Sequence, residues 1–216
     1  MDICKFDESL NIAIHRFGSL IKMYLAMVLV SFICSSLVMV PFVGVFFGLF
    51  MNIIITVWFV LCIDKIAVHD APLSLEDIVY SFNQSLDNLG GYLQAVLVPF
   101  IKILGILVVL ILGLFGVVTY SILSFNNWLS LIILFTYLFL FLFLLYVIEC
   151  LSIECYARII AIKYGDYKFN CYNSYKTKYR YKAFWALIPL FGNVAIIISL
   201  AKDAKNYYIQ ENDESN

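Results

Sequence analysis

Two glutamate–cysteine pairs have the side chains best suited to metal chemistry. Glu149 and Cys150 are followed five positions later by Glu154 and Cys155, and carboxylates and thiolates both bind divalent metals. Residues five apart on a helix point about 140° away from each other, because the helix has 3.6 residues per turn. Two ligands do not close a zinc site. We therefore predict no metal here, and instead an ion pair between Glu154 and Arg158 on a continuing helix.

Polar side chains inside apolar segments are the next candidates. Asn52 and Thr56 lie four positions apart in one apolar segment, and Asn193 lies in another. Such side chains can line a polar pathway across a membrane, but they more often hydrogen-bond within or between helices. A pathway formed by these three residues would make the protein a small oligomeric transporter or channel, which is our alternative hypothesis.

Nothing in the sequence is typical of nucleophilic catalysis. His15 and His69 are the only histidines, and both lie outside the apolar segments. The six cysteines are scattered, several of them in apolar segments, where cysteine acts as a small hydrophobic residue. We predict no catalytic residue and no cofactor, and a membrane-embedded lipid enzyme is the least favoured class.

A basic and aromatic stretch, residues 172–182, alternates tyrosines with lysines and arginines. Basic residues among aromatic side chains can hold single-stranded nucleic acid, but the net charge of −1 gives no field that would attract it. Anionic lipid headgroups fit better, because tyrosine and tryptophan favour the membrane interface and each basic residue there contributes about 1 kcal/mol. The predicted headgroup contacts are Lys176, Lys178, Arg180, Lys182 and Trp185.

The composition identifies the solvent that surrounds most of the chain. Of the 216 residues, 63% are hydrophobic and 13% are charged, and the mean hydropathy is +0.94. A soluble domain is roughly 45–50% apolar and about 25% charged. Too few polar residues remain to cover a water-exposed surface, which excludes a soluble globular enzyme and a disordered chain. The elements that position the candidate residues must be membrane helices.

Four segments are long enough to cross about 30 Å of hydrocarbon, which takes about 20 helical residues. They are residues 20–40, 43–63, 103–123 and 128–148. Lys102 sets the start of the third, because a lysine at the bilayer centre costs about 2.5–3.5 kcal/mol and one at the edge reaches the headgroups. We predict an all-α polytopic transmembrane bundle, with residues 1–202 forming a single membrane domain.

Positive charges lie in alternate connections. The links 41–42 and 124–127 contain no lysine or arginine, whereas residues 149–182 contain seven. The positive-inside rule therefore predicts a cytoplasmic N-terminus, cytoplasmic long connections and two tight hairpins outside the cytoplasmic membrane.

A fifth apolar stretch, residues 183–200, allows two interpretations. Pro189, Gly192 and Asn193 interrupt its centre; proline removes a backbone donor and Gly-Asn favours a turn. It is either a kinked fifth span or a re-entrant hairpin that returns the C-terminus to the cytoplasm, and the charge rule favours the hairpin. We expect residues 203–216 to form a disordered acidic tail.

Two amphipathic segments precede the hairpins, and we predict that both lie in the membrane interface. In the second, Ser74-Leu75-Glu76-Asp77 has the spacing of a capping box, and Gly90-Gly91 is expected to end the helix. The apolar positions of the first are Phe6, Leu10, Ala13, Ile14 and Phe17, and those of the second are Leu75, Ile78, Val79, Phe82, Leu86 and Leu89.

Three of these features together resemble a group of bacterial multi-pass membrane proteins. They are the N-terminal amphipathic helix, the turn Val40-Pro41-Phe42-Val43-Gly44 and the string from Pro72 to Ile78. In this order they are similar to YciC-like proteins and to the membrane domains fused to glycerophosphodiester phosphodiesterases. The resemblance covers roughly the first 165 residues. It implies a multi-pass fold and supplies no catalytic residues.

The function class follows from where the polar residues lie. Nearly all of them are on the predicted cytoplasmic side, and the outer turns are too short to recognise much. We therefore expect a non-enzymatic integral membrane protein that contacts lipid or binds a partner at the cytoplasmic leaflet. The expected partners are the bilayer, including anionic lipids, and a membrane protein or a second copy of the chain.

The predicted orientation can be tested by proteolysis. Protease added outside intact cells should leave residues 158–182 uncut, whereas inside-out vesicles should be cut there, because the basic connection is expected to face the cytoplasm. Immunoblotting of a C-terminal tag detects the fragments. Cleavage in intact cells would contradict the predicted topology.

Overall fold

The computed structural model describes residues 6–37, 43–69, 71–123, 127–183, 186 and 191–214. These residues form eight α-helices and no strand, which confirms the predicted all-α class. The helices are α1 (Phe6–His15), α2 (Phe17–Leu37), α3 (Val43–His69), α4 (Leu75–Asp87), α5 (Leu89–Leu123), α6 (Asn127–Lys163), α7 (Asn170–Lys182) and α8 (Phe191–Glu214).

Four of these helices, α2, α3, α5 and α6, are long and apolar enough to cross a membrane. Each one contains most of a predicted span, so the multi-pass architecture is confirmed. α6 has 37 residues and continues to Lys163, past the predicted end of the fourth span. The Val-Pro-Phe turn at residues 40–42 and the link 124–126 lie outside the described residues.

The apolar helices are covered by protein at one end only. We call their uncovered portions, residues 25–33, 101–118 and 131–143, the apolar limbs. In an apolar 18-residue stretch of α6 no residue is buried, and Phe139 is 76% exposed. The α5 and α6 limbs pack on each other, since the Tyr137 hydroxyl donates to the Leu110 carbonyl at 2.6 Å. An apolar surface of this extent belongs in lipid.

At the other end the helices pack into what we call the basal core. It joins the C-terminal halves of α3 and α6 to α1, α8 and the first turns of α2 and α5. The fully buried aliphatic side chains include Met23, Leu61, Ile63, Ile66, Ile153, Ile159, Ile160 and Ile196–Ile198. The side chains of the basal core are buried by protein and close-packed, whatever surrounds the limbs.

An ion pair lies inside the basal core. Asp64 of α3, whose side chain is fully buried, pairs with Lys163, the last residue of α6. One turn further along α3, the Val68 carbonyl accepts a hydrogen bond from Lys205 of α8 at 3.2 Å. A buried carboxylate needs such a partner, because removing its charge from water is costly. The pair therefore connects α3 to α6, and Lys205 attaches α8 beside it.

The second half of the fifth apolar stretch, from Phe191 on, belongs to α8, and the choice between a kinked span and a re-entrant hairpin for residues 183–200 stays a prediction. α8 crosses the basal ends of its neighbours: the Phe191 and Phe17 rings are 5.7 Å apart, and Lys202 pairs with Glu8 at 2.8 Å. Residues 194–201 are all buried. Their apolar character, which we attributed to lipid, is explained by protein packing. Residues 184, 185 and 187–190, including Pro189, lie outside the described residues.

The disordered tail predicted for residues 203–216 is also corrected, because α8 is helical through Glu214. Polar contacts, which the acidic composition does not reveal, hold the first part of this segment against the protein. Asp203 is buried and pairs with Lys178, and the Tyr208 hydroxyl donates to Asp166. α1 likewise packs on α8, burying Ser9 and Ala13, so this amphipathic segment has a protein partner.

The predicted capping box of α4 is confirmed, but the predicted end of the helix at Gly90-Gly91 is not. The Ser74 hydroxyl accepts from the Asp77 backbone amide at 3.0 Å, and the Asp77 carboxylate accepts from the Ser74 amide at 2.9 Å. α4 ends at Asp87, with Asn88 as its C-cap, and Gly90 and Gly91 start α5. A Cβ on Gly91 would lie 2.9 Å from the Asn88 side-chain oxygen, so glycine leaves room for Asn88.

The Asp64–Lys163 pair predicts a large and asymmetric stability effect. Lys163→Ala should lower the free energy of unfolding by about 3–5 kcal/mol, because it leaves a buried carboxylate unpaired. The double variant Asp64→Leu/Lys163→Leu should recover much of that loss. Thermal unfolding in detergent measures both.

Lys65 provides the control. It lies next to Asp64 and pairs with Asp77, but both side chains of that pair are about a third exposed. Lys65→Ala should therefore cost no more than about 1 kcal/mol. Equal losses for Lys65→Ala and Lys163→Ala would show that burial of the pair does not matter.

Candidate functional site

α7 divides the predicted headgroup residues between two faces. Lys176 and Arg180 are four positions apart and share one face, and Lys178 and Lys182 share another. Arg180 is exposed and Lys176 is half-buried. Trp185, the fifth predicted contact, lies outside the described residues.

Lys178 faces the protein rather than the solvent. Its ammonium lies 2.7 Å from a carboxylate oxygen of Asp203, and the same oxygen accepts a hydrogen bond from the Tyr179 hydroxyl. Asp203 is only 3% exposed, so its charge requires these donors. Lys178 thus neutralises a buried carboxylate that composition did not reveal, and its predicted headgroup role stays a prediction.

A cleft of about 270 Å³, counted to its open mouth, lies between α6, α7 and α8. Its walls include Cys171, Tyr172, Asp203 and Tyr208. Burial raises the pKa of the Cys171 thiol to about 12, and the charges of Asp203 and Asp166 add to the shift. Burial also raises the pKa of Tyr172 to about 12. A thiol that stays protonated at neutral pH is a poor nucleophile, and the carboxylate in this cleft is occupied by its hydrogen bonds to Lys178 and Tyr179.

The turn between α6 and α7 is held by one carboxylate. Asp166 accepts from the backbone amides of Lys168 at 3.0 Å and Asn170 at 2.6 Å. Gly165 and Phe169 have left-handed φ angles of 78° and 59°, the conformations that let the chain reverse here. The Phe169 ring then packs on the Arg158 guanidinium at 4.8 Å.

Two contacts define the direction of α7. Its beginning lies beside Arg158 through Phe169, and its end lies beside Tyr146, whose hydroxyl donates to the Arg180 carbonyl at 2.9 Å. α7 therefore runs antiparallel to α6 and returns toward the apolar limbs. Tyr146 is two residues before the predicted end of the fourth span, so Arg180 lies at the level where that span should leave the hydrocarbon.

Two of the three candidate pathway residues, Asn52 and Thr56, are neighbours on α3, and the polar pathway stays a prediction. The Asn52 amide donates to the Gly48 carbonyl at 2.9 Å, and the Thr56 hydroxyl donates to the Asn52 carbonyl at 2.8 Å. Both bonds are within α3, and Asn52 is exposed on its surface. Asn193 lies on α8, and its buried side-chain oxygen has no hydrogen-bond partner among the described residues. The side chains of Asn52 and Thr56 thus form their hydrogen bonds with the backbone of their own helix.

One glutamate of the two glutamate–cysteine pairs forms the ion pair that its spacing predicts. Arg158 lies 2.6 Å from the Glu154 carboxylate, which confirms the predicted ion pair. Within the described part of the chain, no three histidine, cysteine or acidic side chains lie close enough to share a metal ion. Cys150 and Cys155 are free thiols.

Sequence reasoning missed the buried acids. Asp64 directly follows the second predicted span, and Asp203 lies three residues after the end of the fifth apolar stretch. A single acid at the end of an apolar run was the available signal, but the partners Lys163 and Lys178 are 99 and 25 residues away. Only the fold pairs them.

Comparison of the chain with protein-family models, with curated proteins and with solved structures finds no match. The resemblance to YciC-like proteins stays a prediction, and the function is argued from the geometry alone.

Tyr179 predicts alkaline sensitivity. Burial and the adjacent Asp203 charge raise the pKa of Tyr179 well above its ordinary value. The native state therefore keeps a proton that the unfolded state loses above about pH 10, and the free energy of unfolding should fall as pH rises through that range. Tyr179→Phe should cost about 1–3 kcal/mol at neutral pH and should weaken this alkaline loss.

Unfolding curves measured in detergent at neutral and alkaline pH provide the test. Tyr167 is 61% exposed, so Tyr167→Phe is the matched control. It should change neither the free energy of unfolding at neutral pH nor its decrease at alkaline pH. If both variants unfold alike at every pH, the hydroxyl of Tyr179 does not stabilise Asp203.

Proposed function

We propose that the protein is a non-enzymatic component of the cytoplasmic membrane that binds anionic lipid headgroups through the Lys176–Arg180 face of α7. The N-terminus and α7 lie on the cytoplasmic side. The multi-pass architecture, the density of basic residues in this region and the positive-inside rule support this orientation.

The hydrogen bond from Tyr146 to the Arg180 carbonyl is the observation that carries the proposal. It attaches the C-terminal turn of α7 to α6 near the end of a span, at the expected height of the phosphate groups. A tyrosine at this height is typical of the membrane interface. The guanidinium of an exposed arginine there can form paired hydrogen bonds with a phosphate.

The surroundings of the other basic residues of α7 support assigning the headgroup contact to one face of this helix. Lys178 is turned inward and neutralises Asp203, so it adds little positive charge to the surface. Lys176 lies one turn before Arg180 on the outer face, and together they form a short basic strip along the side of α7. Two such residues near the surface contribute roughly 2 kcal/mol of attraction to anionic lipid.

The packing of the cleft supports a binding role over catalysis. Its thiol stays protonated, and its carboxylate, Asp203, is neutralised by a lysine and a tyrosine. The groups therefore stabilise the attachment of α7 to α8. That attachment holds the outer face of α7 in a fixed orientation toward the membrane.

Charge removal on the outer face tests the proposal. The double variant Lys176→Gln/Arg180→Gln should weaken the enrichment of phosphatidylglycerol around the protein by roughly 2 kcal/mol, or about thirtyfold, at low salt. Fluorescence transfer from labelled protein to labelled phosphatidylglycerol in mixed liposomes measures the enrichment.

Lys168 offers a matched control, because it is exposed at the opposite end of α7, in the turn after Asp166. Lys168→Gln removes one charge at a greater distance from the limbs and should leave the enrichment nearly unchanged. If the double variant retains the wild-type enrichment, or if Lys168→Gln lowers it equally, α7 is not the headgroup site.

A further inference from the structure

The helix α4 packs on the protein through a face that mixes apolar and polar side chains, including Phe82, whose ring lies edge-on to Trp58 at 5.1 Å. Its buried residues are Ile78, Ser81 and Ser85. Ser81 forms a hydrogen bond with Cys62 of α3, and the Trp58 indole donates to the Ile78 carbonyl at 2.8 Å. A helix against an apolar core ordinarily turns its apolar side chains inward, and α4 does so with Ile78 and Phe82 but leaves other apolar side chains outside this face.

The apolar side chains of α4 form an exposed stripe. Leu75, Val79 and Leu86 are 71%, 58% and 41% exposed. Spacings of four and seven positions place them on one face, roughly 100° around the helix from the buried serines. The sequence analysis placed Ile78 on the same face, but the structure separates it from the stripe and buries it.

The orientation of α4 is fixed by polar contacts. Asp77 closes the capping box and pairs with Lys65 of α3, and the Leu73 amide donates to the Ser19 hydroxyl of α2 at 3.1 Å. Together with the Trp58 bond, these contacts hold the stripe outward. These contacts therefore leave the stripe of Leu75, Val79 and Leu86 on the side of α4 that faces away from the protein.

The position of α4 identifies what covers the stripe. α3 ends at His69 just before α4, and α5 begins at Leu89 just after it. The Trp58 bond places the middle of α4 beside the last turns of the second predicted span, residues 43–63, the level expected for the bilayer surface. Leu97, Val98 and Ile101, along the next turns of α5, are exposed as well and continue into the apolar limb.

The charges on α4 indicate which lipids fit. Its exposed polar positions include Glu76 and Asp87, and the helix contains no lysine or arginine. Anionic headgroups would be repelled here, whereas zwitterionic headgroups tolerate the acidic edge. This surface therefore differs in chemistry from the basic outer face of α7.

We propose that α4 is an in-plane membrane helix that inserts Leu75, Val79 and Leu86 into the acyl boundary of a zwitterionic lipid surface. The contact is apolar and does not depend on anionic lipid. It rests on the exposure and anchoring of α4, and not on the headgroup contacts proposed for α7. The protein would then contact zwitterionic lipids beside α4 and anionic lipids beside α7.

Spin labels on the full chain in vesicles test the proposal. A nitroxide is attached to Val79→Cys on the stripe or to Asp87→Cys on the polar edge, in a background with Cys4, Cys34 and Cys150 changed to serine. Cys62, Cys155 and Cys171 are buried and stay in place. Molecular oxygen concentrates in hydrocarbon and a nickel chelate stays in water, so power saturation reports the surroundings of each label.

The expected result is high oxygen and low nickel accessibility at position 79, and the reverse at position 87. The accessibilities at both positions should be the same in phosphatidylcholine vesicles and in vesicles that also contain phosphatidylglycerol. A Leu86→Cys label should repeat the result at position 79. Because all three side chains are exposed, the labels should leave the fold intact, which thermal unfolding checks.

Three results would overturn the proposal. Nickel accessibility at position 79 would place the stripe in water. Exclusion of both reagents, with or without spin coupling between labels, would show that a protein partner or a second copy covers it. Insertion only in vesicles with phosphatidylglycerol would make the contact electrostatic. The α7 variants leave all of these readouts unchanged, so the two proposals fail independently.

Discussion

The pairing of Asp64 with Lys163 is the interaction on which the arrangement of the basal core depends. A carboxylate buried among aliphatic side chains is tolerated only when a cation is beside it, and Lys163 reaches it because α6 extends well past its membrane span. Lys205 attaches α8 at the next turn of α3. Helices far apart in the chain are thereby joined at one end of the molecule.

That constraint divides the protein into parts held by different forces. The basal core is held by side-chain packing and by paired charges, including Lys178 with Asp203 and Glu154 with Arg158. The apolar limbs have few protein contacts apart from the packing of α5 on α6, and lipid must complete them. Contacts with the basal core orient both α4 and α7, and their contact with the bilayer surface is what we propose.

The surfaces offered to lipid follow from how buried polar groups are satisfied. Lys178 turns inward to Asp203, so Arg180 and Lys176 remain on the outer face of α7. Ser81 and the Ile78 carbonyl satisfy polar groups of α3, so Leu75 and Val79 remain outside on α4. In both helices, polar contacts with the rest of the protein decide which side chains face outward.

The sequence by itself determined the helical class, the four spans, the capping box at Ser74 and the Glu154–Arg158 pair. Each of these depends on residues close together in the chain, where hydrophobic runs and helical spacing are sufficient. Only the tertiary structure decided that residues 194–201 pack in protein, that α8 continues to Glu214 and that Lys178 faces inward. An apolar run looks the same whether lipid or protein buries it, and a charge finds its distant partner only when the fold brings the two together.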